Sequence, residues 1–362
     1  MSGVKEGQEP SVPGIKDGAA TRPAAAASLA SAAGAGSPTG RRLVRRFAGS
    51  TPVYMTGVLI VLIIVFSIVK PGAFPTTTNA SNILSYATTF LVMGTGITYV
   101  MIAGGIDLSI GSVLVFANVC AAKAMGALGT NSVLTVVAGV AVALASGLAW
   151  GLFNGFCITR LRVPPLITTL GTLGATLGIA DLIVSGNDIR TVPPVLLNVE
   201  TGSFLGLNWL VWVSFVVVVI GGLVLGLTRF GRHVYVIGSN AEAARRGGIN
   251  VDRYLLRLYA LSGLLAGLAG MMSLTQFATT TIAGHSTDFL IVITGVVLGG
   301  ISLFGGIGSI AGAVVGVFIS AVLINGFIIM NVQPFWQQVV IGFFLIGAVY
   351  IDQLRRRNRD RA

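Results

Sequence analysis

The stretch WLVWVSFVVVVIGGLVLGLT, Trp209–Thr228, runs for 20 residues without a charged side chain. A helix rises about 1.5 Å per residue, so this run reaches about 30 Å, the thickness of a bilayer's hydrocarbon core. Its apolar residues follow no strand-like alternation, and a helix satisfies its own backbone in lipid, so the run reads as a membrane-crossing helix. Similar runs, parted by polar or Gly/Pro breaks, fall at 53–69, 81–102, 109–128, 132–154, 165–184, 209–228, 255–275, 287–304, 309–330 and 334–351. The sequence therefore predicts an all-α polytopic membrane protein of about ten transmembrane helices.

Composition agrees. Of 362 residues, 54% are hydrophobic and only 10% charged, too few polar groups to cover a water-soluble globule of this length. The net charge of +11 is distributed along the chain rather than gathered. Arg41, Arg42, Arg45 and Arg46 precede the first run, Arg160 and Arg162 follow the fourth, Arg229 and Arg232 the sixth, and Arg355, Arg356 and Arg357 the tenth. Ten crossings put all of these on one side, which the positive-inside rule names the cytoplasm, with both termini there. Basic residues spaced as helix-end anchors argue against nucleic acid as a partner and for the lipid bilayer.

Three regions follow. Residues 1–50, dominated by Ala, Gly, Ser and Pro, read as a disordered cytoplasmic tail. Residues 51–352 form the transmembrane domain, and 353–362 a basic cytoplasmic C-terminal tail.

Between the sixth and seventh runs lies GSNAEAARRGG, Gly238–Gly248, polar in apolar surroundings. Ser239 and Glu242 have the spacing of a capping box, Glu242 suits a helix's positive end, and Arg245 and Arg246 suit its negative end. Gly247 and Gly248 then stop it. Two turns fall short of the roughly 12–15 residues at which isolated helices become marginal in water, so something must hold this one. It either packs on its own protein's rim or docks another chain.

A second break, GGIDLSIGS at 104–112, places Asp107 beside the start of the third run. An acid at membrane depth is costly. Asp107 reads either as a cap for the helix beginning near Ser109 or, with Ser109, as part of a transport pathway or gate. The stretch GGISLFGG, 299–306, echoes it on the same expected side without a second aspartate, a hint of duplicated halves.

In these motifs the chain resembles the permease subunits of bacterial ABC importers for ribose and related monosaccharides. The resemblance covers about 82–352 and is carried by GGIDLSIGS (104–112), GSNAEAARRGGINV (238–251) and VVLGGISLFGGIGSIAG (296–312). It implies that 238–251 contains the coupling helix, gripped by an ATP-hydrolysing subunit, with Gly238, Asn240, Glu242, Ala243, Ala244, Arg245, Gly248 and Ile249 as ATPase-coupling residues. It implies further partners: an extracytoplasmic solute-binding protein, and a second permease copy or paralogue. ATP and Mg would sit on the partner ATPase subunit, with no cofactor bound by this chain. One departure is visible: where the family pattern carries a glutamate and an aspartate before VVLGG, this chain has Phe289-Leu290-Ile291, with Asp288 just ahead.

The residues support that division of labour. No G-x-x-x-x-G-K-[ST] phosphate loop occurs, and none of Lys5, Lys16, Lys70 and Lys123 follows a phosphate-loop glycine. No metal cluster or nucleophile-base set is legible, His233 reading as a helix-end residue and His285 as an outer-loop one, so no catalytic residue and no metal site is expected. Asn118, Asn154, Thr168, Thr169, Thr172 and Gln276 put neutral hydrogen-bonding groups near membrane depth, suited to a hydroxylated solute or to bonds between helices. Gly147, Gly151 and Gly155 form a small-residue face for close helix packing or a homodimer seam. Ion-coupled secondary transport, with Asp107 or Asp181 as its acid, is the rival class, and amino-acid or nucleoside permeases are related alternatives.

Overall fold

The computed structural model describes residues 51–190, 192–285 and 287–360. The tail expected over 1–50 lies outside the described residues. The helices in chain order are α1 (Thr51–Val69), α2 (Thr77–Ile102), α3 (Ile110–Leu128), α4 (Val133–Thr159), α5 (Pro165–Val184), α6 (Pro194–Thr201), α7 (Trp209–Leu227), α8 (Arg229–Ser239), α9 (Ala241–Arg246), α10 (Val251–Phe277), α11 (Ile282–His285), α12 (Asp288–Leu298), α13 (Ile310–Ile329) and α14 (Pro334–Asp360). Two-residue strands β1 (Ser203–Phe204) and β2 (Leu207–Asn208) pair antiparallel between α6 and α7.

Among the described residues, eight helices are long and apolar enough to cross a membrane: α2, α3, α4, α5, α7, α10, α13 and α14. The shorter apolar stretches Val53–Val69 and Ile282–Leu298 complete the expected ten. The eighth run differs from its expectation of 287–304. Its helix α12 ends at Leu298 because the chain turns at Gly299 and Gly300, the latter at φ +91°, a left-handed conformation that glycine reaches without steric cost. Eleven residues span only about 16 Å, half a bilayer core. At the other terminus α14 continues past Asp352 to Asp360 without a break.

The core is built from α2, α3, α10, α12 and α13, whose side chains Met93, Ile97, Leu114, Leu258, Leu274, Val296 and Val317 are buried. Around them α1, α4, α5, α7 and α14 turn large apolar side chains outward, among them Ile60, Val137, Leu170, Val216 and Phe343. That inversion is stable in lipid, where exposed hydrocarbon meets hydrocarbon.

Close approach of α4 and α10 is a glycine effect. A methyl at Gly151 would sit 3.0 Å from the Ala260 backbone and 3.1 Å from that of Gly263, and one at Gly155 would lie 3.0 Å from Leu256 Cα. The Gly147-Gly151-Gly155 face is thus occupied by the chain's own α10.

Candidate functional site

At one end of the bundle three breaks in the helices meet. Helix α2 ends at Ile102, whose carbonyl accepts a hydrogen bond from Gly306 N at 2.8 Å, tying the start of the GGIDLS loop to the loop before α13. Gly238, in the last turn of α8, is wedged against both: a methyl there would collide with the Ile102 carbonyl and stand 2.6 Å from Gly306 N. Tyr235, one turn earlier, donates its hydroxyl to Gly308 O at 2.8 Å. Burial pushes that phenol's pKa up, so it remains a donor. The two echoing sequence motifs and the polar segment therefore form one joint.

Reading the sequence alone misses α8. Its first turn is capped by Thr228, whose hydroxyl oxygen accepts from Gly231 N, and it buries Gly231, Val234 and Ile237 along one face. The spacing 231, 234, 237 is the available signal, masked by two arginines that read as the end of a span. Because Ser239 belongs to α8, its hydroxyl donates back to Tyr235 O at 2.9 Å. The expected capping box is therefore absent. Asn240, extended at φ −161°, caps α9 instead, its Oδ1 accepting from Ala243 N at 2.9 Å.

The helix α9 has one inward and one outward face. Ala244 is buried and Ile249 half-buried, while Asn240, Glu242, Ala243, Arg245 and Gly248 are exposed. Gly248 lies at φ +83°, closing the helix as Ile249 N donates to Ala244 O. Glu242 and Arg246 pair at 2.9 Å one turn apart. Asp252 receives Arg162 at 2.9 Å from the α4–α5 connection and Arg245 at 3.5 Å, anchoring the segment laterally.

Asp107 sits just inside this joint. Its Oδ1 accepts from Ser109 N at 3.0 Å and Ser109 Oγ at 2.6 Å, and its Oδ2 from Ser262 Oγ at 2.7 Å. It does not occupy the N-cap position, which is Ser109; it folds the loop and ties it to α10. Asn154 Nδ2 donates to Ser109 Oγ at 2.8 Å, and Tyr259 donates to Ile106 O at 3.1 Å. Thr169 bonds its own helix at Pro165 O. So Asp107, Ser109 and Asn154 form one network, with Thr169 beside it at Ile106. Asn118 is buried along α3 with both amide atoms unpartnered among the described residues, and Gln276 lies apart at the far end of α10, donating to Ser85 O.

The second motif lacks an aspartate in sequence and acquires one in space. Asp352 of α14 accepts from Ser302 Oγ at 3.0 Å and Leu303 N at 3.3 Å. Fifty residues of separation hide this pair from the sequence.

His285 is not an outer-loop residue. The chain re-enters the bundle after α10, and His285 is buried, bonded through Nδ1 to Asp288 at 2.6 Å and through Nε2 to Ser273 at 2.7 Å. His233 is half-buried in α8, with Nδ1 2.6 Å from the Tyr254 hydroxyl. Among the described residues no three His, Cys, Asp or Glu side chains gather as a metal site.

The breaks that meet here lie inside a stretch with a family of its own. A family model described as branched-chain amino acid transport system / permease component matches residues 79–349. The chain belongs to this permease family. It is 32% identical over 324 residues to a fructose import permease protein of Rhizobium meliloti, covering 87% of this chain and 89% of the relative. It is 33% identical to an L-arabinose ABC transporter permease protein of Azospirillum brasilense, covering 84% and 89%, and 33% identical to a ribose import permease protein of Escherichia coli (strain K12), covering 82% and 92%. No solved structure matches this permease.

Proposed function

We propose that this permease is the membrane-spanning subunit of an ATP-driven importer for a monosaccharide or similar polyhydroxylated solute. The family's description names branched-chain amino acids, whereas the relatives matched over most of their length carry fructose, arabinose and ribose in their names. Likeness to the sugar permeases over 82–87% of this chain favours the sugar.

In this reading the chain has no ATPase site of its own. A separate ATP-binding subunit, carrying ATP and Mg, grips α9 from the cytoplasm, where both termini also lie. An extracytoplasmic solute-binding protein delivers the solute, and a second permease copy or paralogue completes the pathway in the bacterial inner membrane. Nucleotide-driven closure of the ATPase displaces α9, and the Gly238 wedge passes that displacement to the ends of α2 and α13, shifting the population between outward- and inward-open states.

The observation that supports this most is the contact of Gly238 with both the Ile102 carbonyl and Gly306 N, because it makes an exposed helix and two membrane loops a single lever. Site-directed cross-linking tests it. Ala243→Cys, on the exposed face, should form an ATP-sensitive cross-link to the ATP-binding subunit in the purified complex, and no cross-link in any nucleotide state would sink the reading.

A further inference from the structure

The re-entrant segment between α10 and α12 borders a half-open cavity of about 180 Å³ that the coupling joint does not use. Tyr86 and Thr89 of α2, Gln276 of α10, and Thr281, His285 and Asp288 line it. At about 30 Å³ per water, it has room for roughly six waters, the scale of a small solute rather than a lipid chain. A second cavity of about 220 Å³ adjoins it, sharing Tyr86 and Asp288 as walls.

Its polar groups fall into two sets. His285 and Asp288 satisfy one another, and Ser273 Oγ holds the far side of the imidazole at 2.7 Å, so the ring and the carboxylate are fixed in orientation. Ser273 is fully buried and does not line the cavity, so the row positions a binding surface rather than a nucleophile. The hydroxyls of Thr89 and Thr281, in contrast, are buried without a partner among the described residues. Buried polar atoms are nearly always paired, and a hydroxyl left unpaired beside a cavity points to a ligand that pairs it.

Position adds to this. The half-length helix α12 starts inside the bundle, where a methyl at Gly111 would lie 3.1 Å from Phe289 N. Interrupted helices whose ends face a polar cavity are how transporters hold solutes within the membrane. Among the described residues no Arg or Lys lines the cavity, and Asp288 already sets a carboxylate in the first turn of α12, where it disfavours the second one that an amino acid would bring. Amide, hydroxyl and imidazole groups instead complement a neutral polyol.

We infer that this cavity is a holding site for one sugar-sized solute, whose hydroxyl groups bond Thr89, Thr281 and Gln276 against the fixed His285–Asp288 pair. The inference rests on the permease reading above.

The test uses the full complex, permease with its ATP-binding subunit and solute-binding protein, in proteoliposomes. ATP-dependent uptake of radiolabelled D-ribose, L-arabinose, D-fructose, D-galactose and L-leucine is measured for wild type, Thr89→Val and Thr281→Val. Valine keeps the shape, and neither hydroxyl has a partner among the described residues, so both variants should melt with wild type. Uptake of the sugar that wild type carries should fall about fivefold, the loss of one hydrogen bond, with solute-free ATP hydrolysis unchanged. Uptake within about twofold of wild type in both variants, or a fall in melting temperature that accounts for the loss, overturns the holding site and leaves the permease reading standing. No sugar uptake by wild type overturns both.

Discussion

Gly306 donates its amide hydrogen to the carbonyl of Ile102 at 2.8 Å, joining the end of α2 to the loop before α13 across more than half the chain. Gly238 is packed against that bond. Only a residue without a side chain fits, because the neighbours are backbone atoms that cannot rotate away.

Gly238→Ala should therefore damage the joint while α8 itself tolerates alanine well. Overpacking against backbone costs about 1–3 kcal/mol, and the purified permease should melt several degrees lower. Gly247→Ala is the control, since a methyl there meets Ala243 O and Ala244 O at an ordinary 3.4 Å. Solute-stimulated ATP hydrolysis should fall in the first variant and persist in the second. Equal behaviour of the two would remove Gly238 from the coupling route.

Glu242→Arg should separate coupling from folding. The Glu242–Arg246 pair is largely exposed, so its loss costs the fold little. Insertion and melting should be unchanged, while solute-stimulated ATP hydrolysis falls by about tenfold or more if the partner subunit reads this face. Gly248→Leu should act alongside it, forcing a left-handed backbone at φ +83° onto a residue that resists it by about 1–2 kcal/mol.

Much of the fold is legible from residue chemistry. Trp209–Leu227 announces a membrane helix by length and apolarity alone, and eight of the expected runs are full-length spans. What escapes is set by contacts far apart in the chain. Whether Ser239 or Asn240 caps α9 depends on α8, an amphipathic helix whose stripe is only three residues, and α8 in turn depends on a groove made by α2 and the loop before α13. Asp107 is visible as an unusual acid, yet its partner Ser262 lies 155 residues away, and Asp352 stands in for the aspartate missing from the second motif. His285 reads as outer loop because its stretch is rich in Gly and Thr, and a stretch that re-enters the bundle has the same composition.

The α4–α10 seam gives a prediction with a sharp contrast. Gly151→Val would push its branched side chain into the Ala260 and Gly263 backbone, and the expected loss is about 3 kcal/mol or more, seen as little folded protein in detergent extracts. Gly178→Val on α5 has nothing within 4 Å of the added carbon and should express normally. Were the Gly147-Gly151-Gly155 face a seam between two copies instead, Gly151→Val would yield folded monomer.

Asp107 decides between a structural acid and a proton carrier. Three donors converge on its carboxylate, from Ser109 N, Ser109 Oγ and Ser262 Oγ, so Asp107→Leu should leave buried groups unpaired and cost about 3 kcal/mol or more. In Asp107→Asn the carboxamide oxygen still accepts from Ser109 and the amide can donate to a rotated Ser262 hydroxyl, so most of the stability should remain while the titratable group is gone. If the aspartate only braces the loop, Asp107→Asn vesicles supplied with ATP should import sugar at a rate within severalfold of wild type, with the proton gradient collapsed as with it intact. An ion-coupled carrier would behave in the opposite way: neutralising its acid would abolish accumulation, and so would collapsing the gradient in the unmodified protein. The two measurements together leave the network around Asp107 one role, because bracing survives both interventions and proton carriage survives neither.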